Sequence, residues 1–376
     1  MAYSSTGDAA HLMHFLGRNA LMAKLDIKEA YRIVPIHPDD RRFLGVCWQG
    51  QVYVDCQLPF GLASAPVIFS VLGEALEWIL RQREVKAVIH YIDDFLLLGP
   101  PSSPECKEAL AITLQTCQEL GVPIAPEKTE GPGTSITFLG IQLDSTSMTV
   151  FLPQDKLTKL QAMVRAACKL KSVNDVHFLE SLVGHLVHAT TVCPLAKAFL
   201  HHLFTLKAAL KPGQTRRLNL SAQTDLAWWD ALFESWPGIS VQQFLILRQP
   251  DFHLFCDASE TWGCGAWCTP HWLQVPWSDL PPHSTTLQEL FPVVIAAAVW
   301  GAGWTGRLVL CHSDNAPLVA QVNRLHAHDP LAAHLLHCLA LFQALHDFRL
   351  RAVHVPGSPE TSPSPPPDYE GHPGQN

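Results

Sequence analysis

The sequence predicts a multidomain chain of mixed α+β and α/β architecture, and three observations carry that prediction. Residues 1–147 alternate short apolar runs with helical stripes in the order strand, helix, hairpin, helix, strand. Within residues 148–220 the pattern is helical from Asp155 to about Lys211. From residue 250 strands return, as a hairpin followed by a helix and two further strands. At 376 residues, 48% of them hydrophobic, the chain is long enough for two or three separate cores.

Taken in order, Leu21-Met-Ala-Lys-Leu25 is an apolar strand closed by Asp26, whose carboxylate would emerge at the strand end. His37 to Arg42 is turn chemistry, and Phe43 to Val54 reads as a hairpin around Gln49-Gly50-Gln51. The loop Leu58-Pro59-Phe60-Gly61 leads to Ser64, placed to cap a helix that has Pro66 in its first turn. That helix runs to about Gln82, with Val67, Ile68, Val71, Leu72, Ala75, Leu76, Ile79 and Leu80 as its core stripe. A second helix opens at Ser102-Ser103-Pro104 and stops at Gly121, and Phe138 to Leu143 reads as one strand.

Between the two helices lies Ala87-Val-Ile-His90-Tyr91-Ile92-Asp93-Asp94-Phe95-Leu-Leu-Leu98-Gly99. Two adjacent carboxylates in a tight turn between apolar strands repel each other unless a cation neutralises them. Taken alone, the pair reads first as a solvated turn, since Asp favours turns, and it is the neighbouring blocks that change that reading. In a split β-α-β antiparallel sheet, however, Asp26 comes to lie beside Asp93 and Asp94. Three such carboxylates suit two Mg²⁺ ions and phosphoryl transfer.

The order of these blocks resembles the palm of reverse transcriptases. The matching segments are Asp26-Ile-Lys-Glu-Ala-Tyr31, Leu58-Pro-Phe-Gly61, Tyr91-Ile-Asp-Asp94 and Phe138-Leu-Gly140. The wording of the first and third is most similar to the tyrosine-recombinase (DIRS-type) retrotransposons. The resemblance implies a right-hand polymerase palm with part of the fingers over 1–147 and a helical thumb or connection over 148–220. It makes Asp26, Asp93 and Asp94 metal ligands, with the backbone carbonyl of Ile27, for Mg²⁺ with Mn²⁺ as a substitute. Tyr31 would be the steric gate against the sugar 2′ position, or else one core aromatic among many. Phe60, Gly61 and Tyr91 would line the nucleotide and template site. Lys128 would protonate departing pyrophosphate, or be a surface lysine. Phe138, Leu139 and Gly140 would grip the primer end. Only 25 residues precede Asp26, so most of the fingers is expected to be missing and the chain to be a piece of a longer polyprotein.

Charge is unevenly spread. The net charge is −8, which argues against a simple nucleic-acid-binding protein, yet residues 151–220 hold ten Lys or Arg against three Asp or Glu. Lys156, Lys159, Arg165, Lys169 and Lys171 recur on the polar side of that helical region and would follow a nucleic-acid backbone without reading sequence. A solvated helix face is the alternative. Arg216 to Gln249 reads as a looser segment, with 221–249 a linker.

A second constellation follows. Phe252 to Asp257 is a strand ending in Asp, Glu289 lies on an apolar helix, Leu308 to Ser313 is a strand leading to Asp314, and Arg349 to His354 is the last strand. Strand-end Asp, helix Glu and strand-end Asp suit metal-dependent phosphodiester hydrolysis. The motifs Asp257-Ala-Ser, Ser-Asp314-Asn and His354-Val-Pro-Gly357 resemble ribonuclease H, which implies a ribonuclease H-like α/β domain over 250–357. Asp257, Glu289 and Asp314 would then ligate metal, with His354 assisting proton movement or product release. The family's fourth carboxylate has no match, since its Ala-Asp positions are Pro363 and Ser364. Residues 358–376 are Pro-rich and expected to be disordered, with Pro366-Pro-Asp-Tyr369 fitting a WW-domain ligand only as a chance match.

The eleven cysteines form no Cys-x-x-Cys pair and read as free thiols rather than a zinc site. The apolar run Phe291 to Gly306 is too short to span a bilayer, and no signal peptide opens the chain, so an intracellular location without membrane attachment is expected. The implied function is RNA-directed DNA polymerase with ribonuclease H activity. Its partners would be RNA or DNA template–primer, RNA–DNA hybrid, deoxynucleoside triphosphates and the rest of the polyprotein. The alternatives are an inactive relic that binds nucleic acid, or a nuclease alone.

Overall fold

In the computed structural model, which describes residues 3–236, 238–244, 249–277 and 284–356, the chain falls into two units, 1–248 and 249–376. The first unit opens on α1 (Thr6–Leu16), where Ser5 and Asp8 close a capping box. Strand β1 (Leu21–Asp26) follows. An exposed ribbon, β2 (Gly45–Trp48) and β3 (Gln51–Val54), turns on Gln49 and Gly50, both at positive φ. Next come α2 (Ala65–Gln82), β4 (Val88–Tyr91), β5 (Asp94–Gly99), α3 (Glu105–Leu120) and β6 (Glu130–Gly133). The strands pair antiparallel in the order β4-β5-β1-β6. Strand residues Ala23, Leu25, Phe95 and Leu97 meet Phe69, Leu76 and Leu80 of α2 and Cys106, Ala109 and Cys117 of α3 in one buried cluster. This is the expected split arrangement, a sheet with two helices packed on it.

The rest of this unit is β7 (Ser135–Phe138), β8 (Ile141–Asp144), β9 (Thr149–Phe151), α4 (Gln154–Cys168), β10 (Ser172–Val173), α5 (Val176–Ala189), α6 (His201–Ala209), β11 (Arg216–Arg217), α7 (Leu220–Ser235) and β12 (Ile239–Ser240). Strands β12-β9-β8-β7 form a second sheet. On α4, Leu160, Val164 and Ala167 are buried; on α5, Leu179, Leu182, Val183 and Leu186.

Four expectations are corrected. Phe138 to Leu143 is a hairpin rather than one strand, because Leu139 and Gly140 both take positive φ and turn the chain back. The strand that closes the first sheet is instead β6. Ser64 stands at the start of α2 in helical conformation and makes no side-chain cap. On α2 the buried face is Ala65, Phe69, Gly73, Leu76 and Leu80, while Val67, Ile68, Val71 and Leu72 of the expected stripe are exposed. Apolar residues occupy most of this helix, so periodicity could not choose the face; the close approach of Gly73 to β4 did. Finally, part of the expected linker is α7, whose Trp228, Trp229, Leu232 and Phe233 are buried.

The second unit contains β13 (Phe252–Ala258), β14 (Gly263–Cys268), β15 (His271–Pro276), α8 (Thr285–Trp300), β16 (Leu308–Ser313), α9 (Ala316–Arg324), α10 (Pro330–Leu345) and β17 (Arg349–His354). Its five-stranded mixed sheet has the order β15-β14-β13-β16-β17, antiparallel on the β14 side of β13 and parallel on the β16 side. Helix α8 packs on β13 and β14, with Leu290, Val293, Ala296 and Ala297 fully buried. Together with the turn after it, Thr285–Trp304 spans 20 residues at mean hydropathy 1.3, long and apolar enough to cross a membrane by length and composition. That corrects the shorter run expected from sequence; the buried face against the sheet gives it the place of a core helix. All eleven cysteines are free thiols. The expected tail over 358–376 lies outside the described residues, as do the Pro366–Tyr369 motif and the positions compared with a fourth carboxylate.

Candidate active site

The register of β1 against β5 builds the first site. Asp26, the last residue of β1, stands directly opposite Asp94, the first of β5. Asp93 occupies the two-residue turn with Ile92, and its carbonyl accepts a hydrogen bond from the Ile27 N–H at 3.0 Å, fixing the turn against the end of β1. Ile92 sits at φ 56°, a left-handed conformation that β-branched residues rarely adopt and that costs on the order of 1–2 kcal/mol. The backbone is therefore held there by its surroundings, a pattern that concentrates at functional sites.

Lys128 comes from the far side of the sheet and donates to both oxygens of Asp26, at 2.9 and 3.0 Å. That bond, with the charges of Asp26, Asp93 and Asp94, raises the Lys128 pKa and keeps the ammonium charged. Burial pushes the Asp94 carboxyl up to about 6, helped by the charges of Asp93 and Asp26 and by its hydrogen bond to Asp26. Asp93 is raised in the same way, by burial first. Three carboxylates thus share a half-buried pocket that Lys128 only partly neutralises.

Tyr31 lies beside this pocket, its ring centroid 5.2 Å from Phe60 and 5.5 Å from Phe69. Its hydroxyl pKa is raised by burial and then by Asp93, which places it in the field of the turn. Phe60 is 67% exposed and Gly61 takes φ 86°, so the loop presents an open ring ahead of a turn only glycine makes easily. Tyr91, paired with Asp94 across the hairpin, is exposed, with its ring 5.6 Å from that of Tyr3. The structure therefore brings Asp26, Ile27, Tyr31, Phe60, Tyr91, Asp93, Asp94 and Lys128 together at one end of a sheet.

Leu139 and Gly140 lie elsewhere, in the β7–β8 turn of the second sheet. There the Gly140 carbonyl accepts from Lys156 at 3.0 Å and the Leu139 carbonyl pairs with His188 Nε2 at 3.3 Å. Lys156 is thus occupied by its own chain, and Arg165 is bridged to Asp230 of α7 at 3.3 Å. Of the five cations expected to meet a nucleic-acid backbone, Lys159, Arg165, Lys169 and Lys171 are exposed and Lys156 is partly buried.

In the second unit the parallel register pairs Phe255 with His312, and two residues further on stand Asp257, still paired with Gly265 of β14, and Asp314, just past the end of β16. Glu289, in the first turns of α8, accepts hydrogen bonds from Asn315 Nδ2 at 3.2 Å and Ser313 Oγ at 3.4 Å. Burial raises the Glu289 pKa, and the charges of Asp314 and Asp257 add to it against the bonds from Asn315 and Ser313. His354 Nε2 lies 3.0 Å from the Asp314 carbonyl oxygen. Asn315 also caps α9 through its side chain, so one residue ties Glu289 to the end of β16. Sequence reasoning quoted Ser313 and Asn315 only as part of a motif; an Asn before an apolar helix was the available signal.

Among the described residues, no three carboxylate, imidazole or thiol side chains already close around a common point at metal-binding distance. The donor chemistry nevertheless suits a hard divalent cation at both clusters, since each sets carboxylates near one another, and burial first and neighbouring negative charge second raise the pKa of Asp94 in one and of Glu289 in the other. In the first cluster Lys128 holds Asp26 and would have to give way.

Comparison with known proteins bears on the first unit. Residues 3–143 match the family model described as reverse transcriptase (RNA-dependent DNA polymerase). The chain is 29% identical over 201 residues to Protein P of Duck hepatitis B virus (strain China), covering 52% of this chain and 24% of that protein. It is also 29% identical over 184 residues to the Gag-Pro-Pol polyprotein of Human T-cell leukemia virus 2, covering 45% of this chain and 12% of the polyprotein. The chain therefore spans about a quarter or less of the length of these curated relatives. A solved structure of the foamy viral protease-reverse transcriptase in complex with RNA/DNA hybrid superposes with a TM-score of 0.50 at 14% identity, covering 100% of this chain and 49% of that one. At that identity the likeness is one of fold, a mixed α/β chain consistent with a reverse transcriptase palm. Residues 3–143 are thus similar to the reverse transcriptase family, and the wider chain to parts of these viral proteins.

Proposed function

We propose that the chain is the polymerase and hybrid-nuclease portion of a retroelement polyprotein, most similar to the DIRS type. The first unit would extend a DNA primer on an RNA or DNA template from deoxynucleoside triphosphates. The second would hydrolyse the RNA strand of an RNA–DNA hybrid. The observation that carries the reading is the meeting of Asp26 with Asp94 across β1 and β5, with Asp93 in the adjoining turn. Asp26, Asp93, Asp94 and the Ile27 carbonyl would hold Mg²⁺, which when bound lowers the pKa of the primer hydroxyl and offsets charge on the phosphates. Tyr31 and Phe60 supply an aromatic wall for the incoming sugar and base. Lys128, kept charged by the carboxylates, holds a proton at Nζ within reach of a departing pyrophosphate. In the second unit Asn315 and Ser313 orient Glu289 toward Asp257 and Asp314. The domain partition follows the same reading, with palm over 1–147, helical thumb or connection over 148–220, and the nuclease over 250–357.

The test is primer extension on an RNA template in Mg²⁺ by the purified chain and by an Asp93→Asn, Asp94→Asn double variant. Extension by the first and its loss in the second, by at least ~10³-fold, is expected, since such ligands supply most of the charge stabilisation. Extension that survives in the double variant would sink the assignment of these carboxylates. Cleavage of a labelled hybrid should be independent: Glu289→Gln is expected to stop it while leaving extension unchanged. If Glu289→Gln cleaves at the wild-type rate, the second site has been misassigned.

One observation favours a second reading, a chain that binds nucleic acid without turnover. Lys128 closes on Asp26 with bonds to both carboxylate oxygens. Hybrid binding without extension or cleavage in either Mg²⁺ or Mn²⁺ would establish it.

A further inference from the structure

We infer that Gly73, Glu77 and Arg81 of α2 form a clamp on β4 that sets the height of the Asp93–Asp94 turn, with His90 as the positioning residue it grips. The inference rests on the polymerase reading of the carboxylate site and adds to it a set of residues that touch neither substrate nor metal. The three helix residues are spaced four apart and so lie on one face of α2, one turn above another. Each meets β4 at a different level. A Cβ at Gly73 would stand 2.7 Å from two ring atoms of His90 and 3.2 Å from the Ile92 carbonyl oxygen, so the bare glycine lets the helix press against the turn itself. Glu77 Oε2 is bonded to His90 Nδ1 at 2.6 Å. Arg81 is bonded to Glu77 Oε1 at 2.8 Å and continues to the base of the strand, donating to the Val88 carbonyl at 2.9 Å and the Lys86 carbonyl at 3.4 Å.

His90 links this face to the site. Its ring is 9% exposed, lies against Gly73 on one side, and stacks on Phe95 with centroids 5.2 Å apart and planes 20° from parallel. Phe95 follows Asp94 directly, and Ile92 with its left-handed backbone precedes Asp93. The ring therefore touches the strands on both sides of the two carboxylates. A turn held in a costly backbone conformation needs an external constraint. The β1–β5 ladder and the Ile27–Asp93 bond fix β5 and one end of the turn against β1, whereas β4 and the other end of the turn are held through the β4–β5 ladder and against α2. Anchoring the buried His90 to the partly buried Glu77, and Glu77 to Arg81, gives β4 a fixed height against α2. His90 is a hydrogen-bonded residue in an otherwise apolar strand, which made it invisible to periodicity.

The experiment uses the full chain with His90→Phe, which keeps the stack on Phe95 and breaks the bond to Glu77, and with Glu77→Leu and Glu77→Gln. Two readouts are taken on folded protein: the rate of single-nucleotide extension with its KM for the nucleotide, and Mn²⁺ affinity by electron paramagnetic resonance. A positioning role predicts that His90→Phe and Glu77→Leu lower kcat and Mn²⁺ affinity by about 10- to 100-fold, as loss of outer-shell support does, with KM within about twofold. Glu77→Gln, which still accepts from His90, is expected to recover most of both. Folded variants with wild-type Mn²⁺ affinity and kcat would overturn the inference. A merely structural role would lower the melting temperature and leave Mn²⁺ affinity of the folded fraction unchanged, which overturns it too. If the wild-type chain extends no primer, the polymerase reading fails, while the Mn²⁺ series still decides whether the clamp places the carboxylates. Arg81→Gln, at a half-exposed guanidinium, takes the same two readouts should His90→Phe not fold.

Discussion

An Asp94→Asn chain is expected to melt above the wild type at neutral pH while losing primer extension. Asp94 faces Asp26 across the sheet and adjoins Asp93, in a pocket where burial and like charge both oppose ionisation. Lys128 is committed to Asp26 and offsets only part of that charge. A carboxamide keeps the shape of the side chain and removes one negative charge. Solvent still reaches the half-buried carboxylates, so the gain is on the order of 1 kcal/mol, or about 2–4 °C for a unit of this size. Differential scanning calorimetry with and without Mg²⁺ checks it. The cation is expected to raise the wild-type transition and to leave the variant nearly where it was. A variant that melts below the wild type would show that Asp94 is held by favourable bonds, and the pocket would lose its claim to be a cation site. Sites built for chemistry rather than for stability behave in the first way.

Trp229→Ala is expected to cost about 3–5 kcal/mol, the usual range for emptying a fully buried aromatic site. Trp229 is 0% exposed in α7, and its indole N–H donates to the Phe199 carbonyl at 3.1 Å. Its ring meets Trp228 edge-on at 5.5 Å and Phe233 at 5.3 Å, while Trp228 stacks on Phe199 at 3.8 Å. Removing it leaves a cavity between α7 and the 194–200 segment and takes the indole donor away from the Phe199 carbonyl. Urea denaturation should show the midpoint fall with the slope kept, and the melting temperature should drop on the order of 10 °C. Trp229→Phe is expected to lose roughly half as much, since it retains most of the apolar volume. If Trp229→Ala proved silent, residues 221–235 would be the loose linker that their composition suggests, and the packing of α7 would be wrong.

The Asp93–Asp94 hairpin was legible in the sequence because the information is local: two apolar runs of strand length bracket a turn, and strand periodicity needs no distant partner. The ends of α2 and α3 were legible for the same reason, through Pro66 and the left-handed Gly121. The burial face of α2 was not. Val, Ile, Leu and Phe occupy more than one side of it, and the choice fell to whichever side could come close to β4, which Gly73 permits and a residue with a Cβ would not. Leu139-Gly140 read as strand because leucine is apolar, yet the backbone there turns with both φ values positive, a decision made where Lys156 and His188 hold the two carbonyls.

For α7, mixed polar and Trp-rich composition concealed a helix that burial against the 194–200 segment stabilises. Likewise the contacts of Lys156 with the Gly140 carbonyl and of Arg165 with Asp230 join residues far apart in the chain that no local pattern pairs. By itself, then, the sequence determined which carboxylates and which strand ends exist, because residue type and short-range period are properties of a few neighbouring positions. Only the tertiary structure decided which of them meet, which charges are already matched, and which helix face is buried. Those outcomes depend on contacts between residues tens to hundreds of positions apart, whose geometry no local pattern carries.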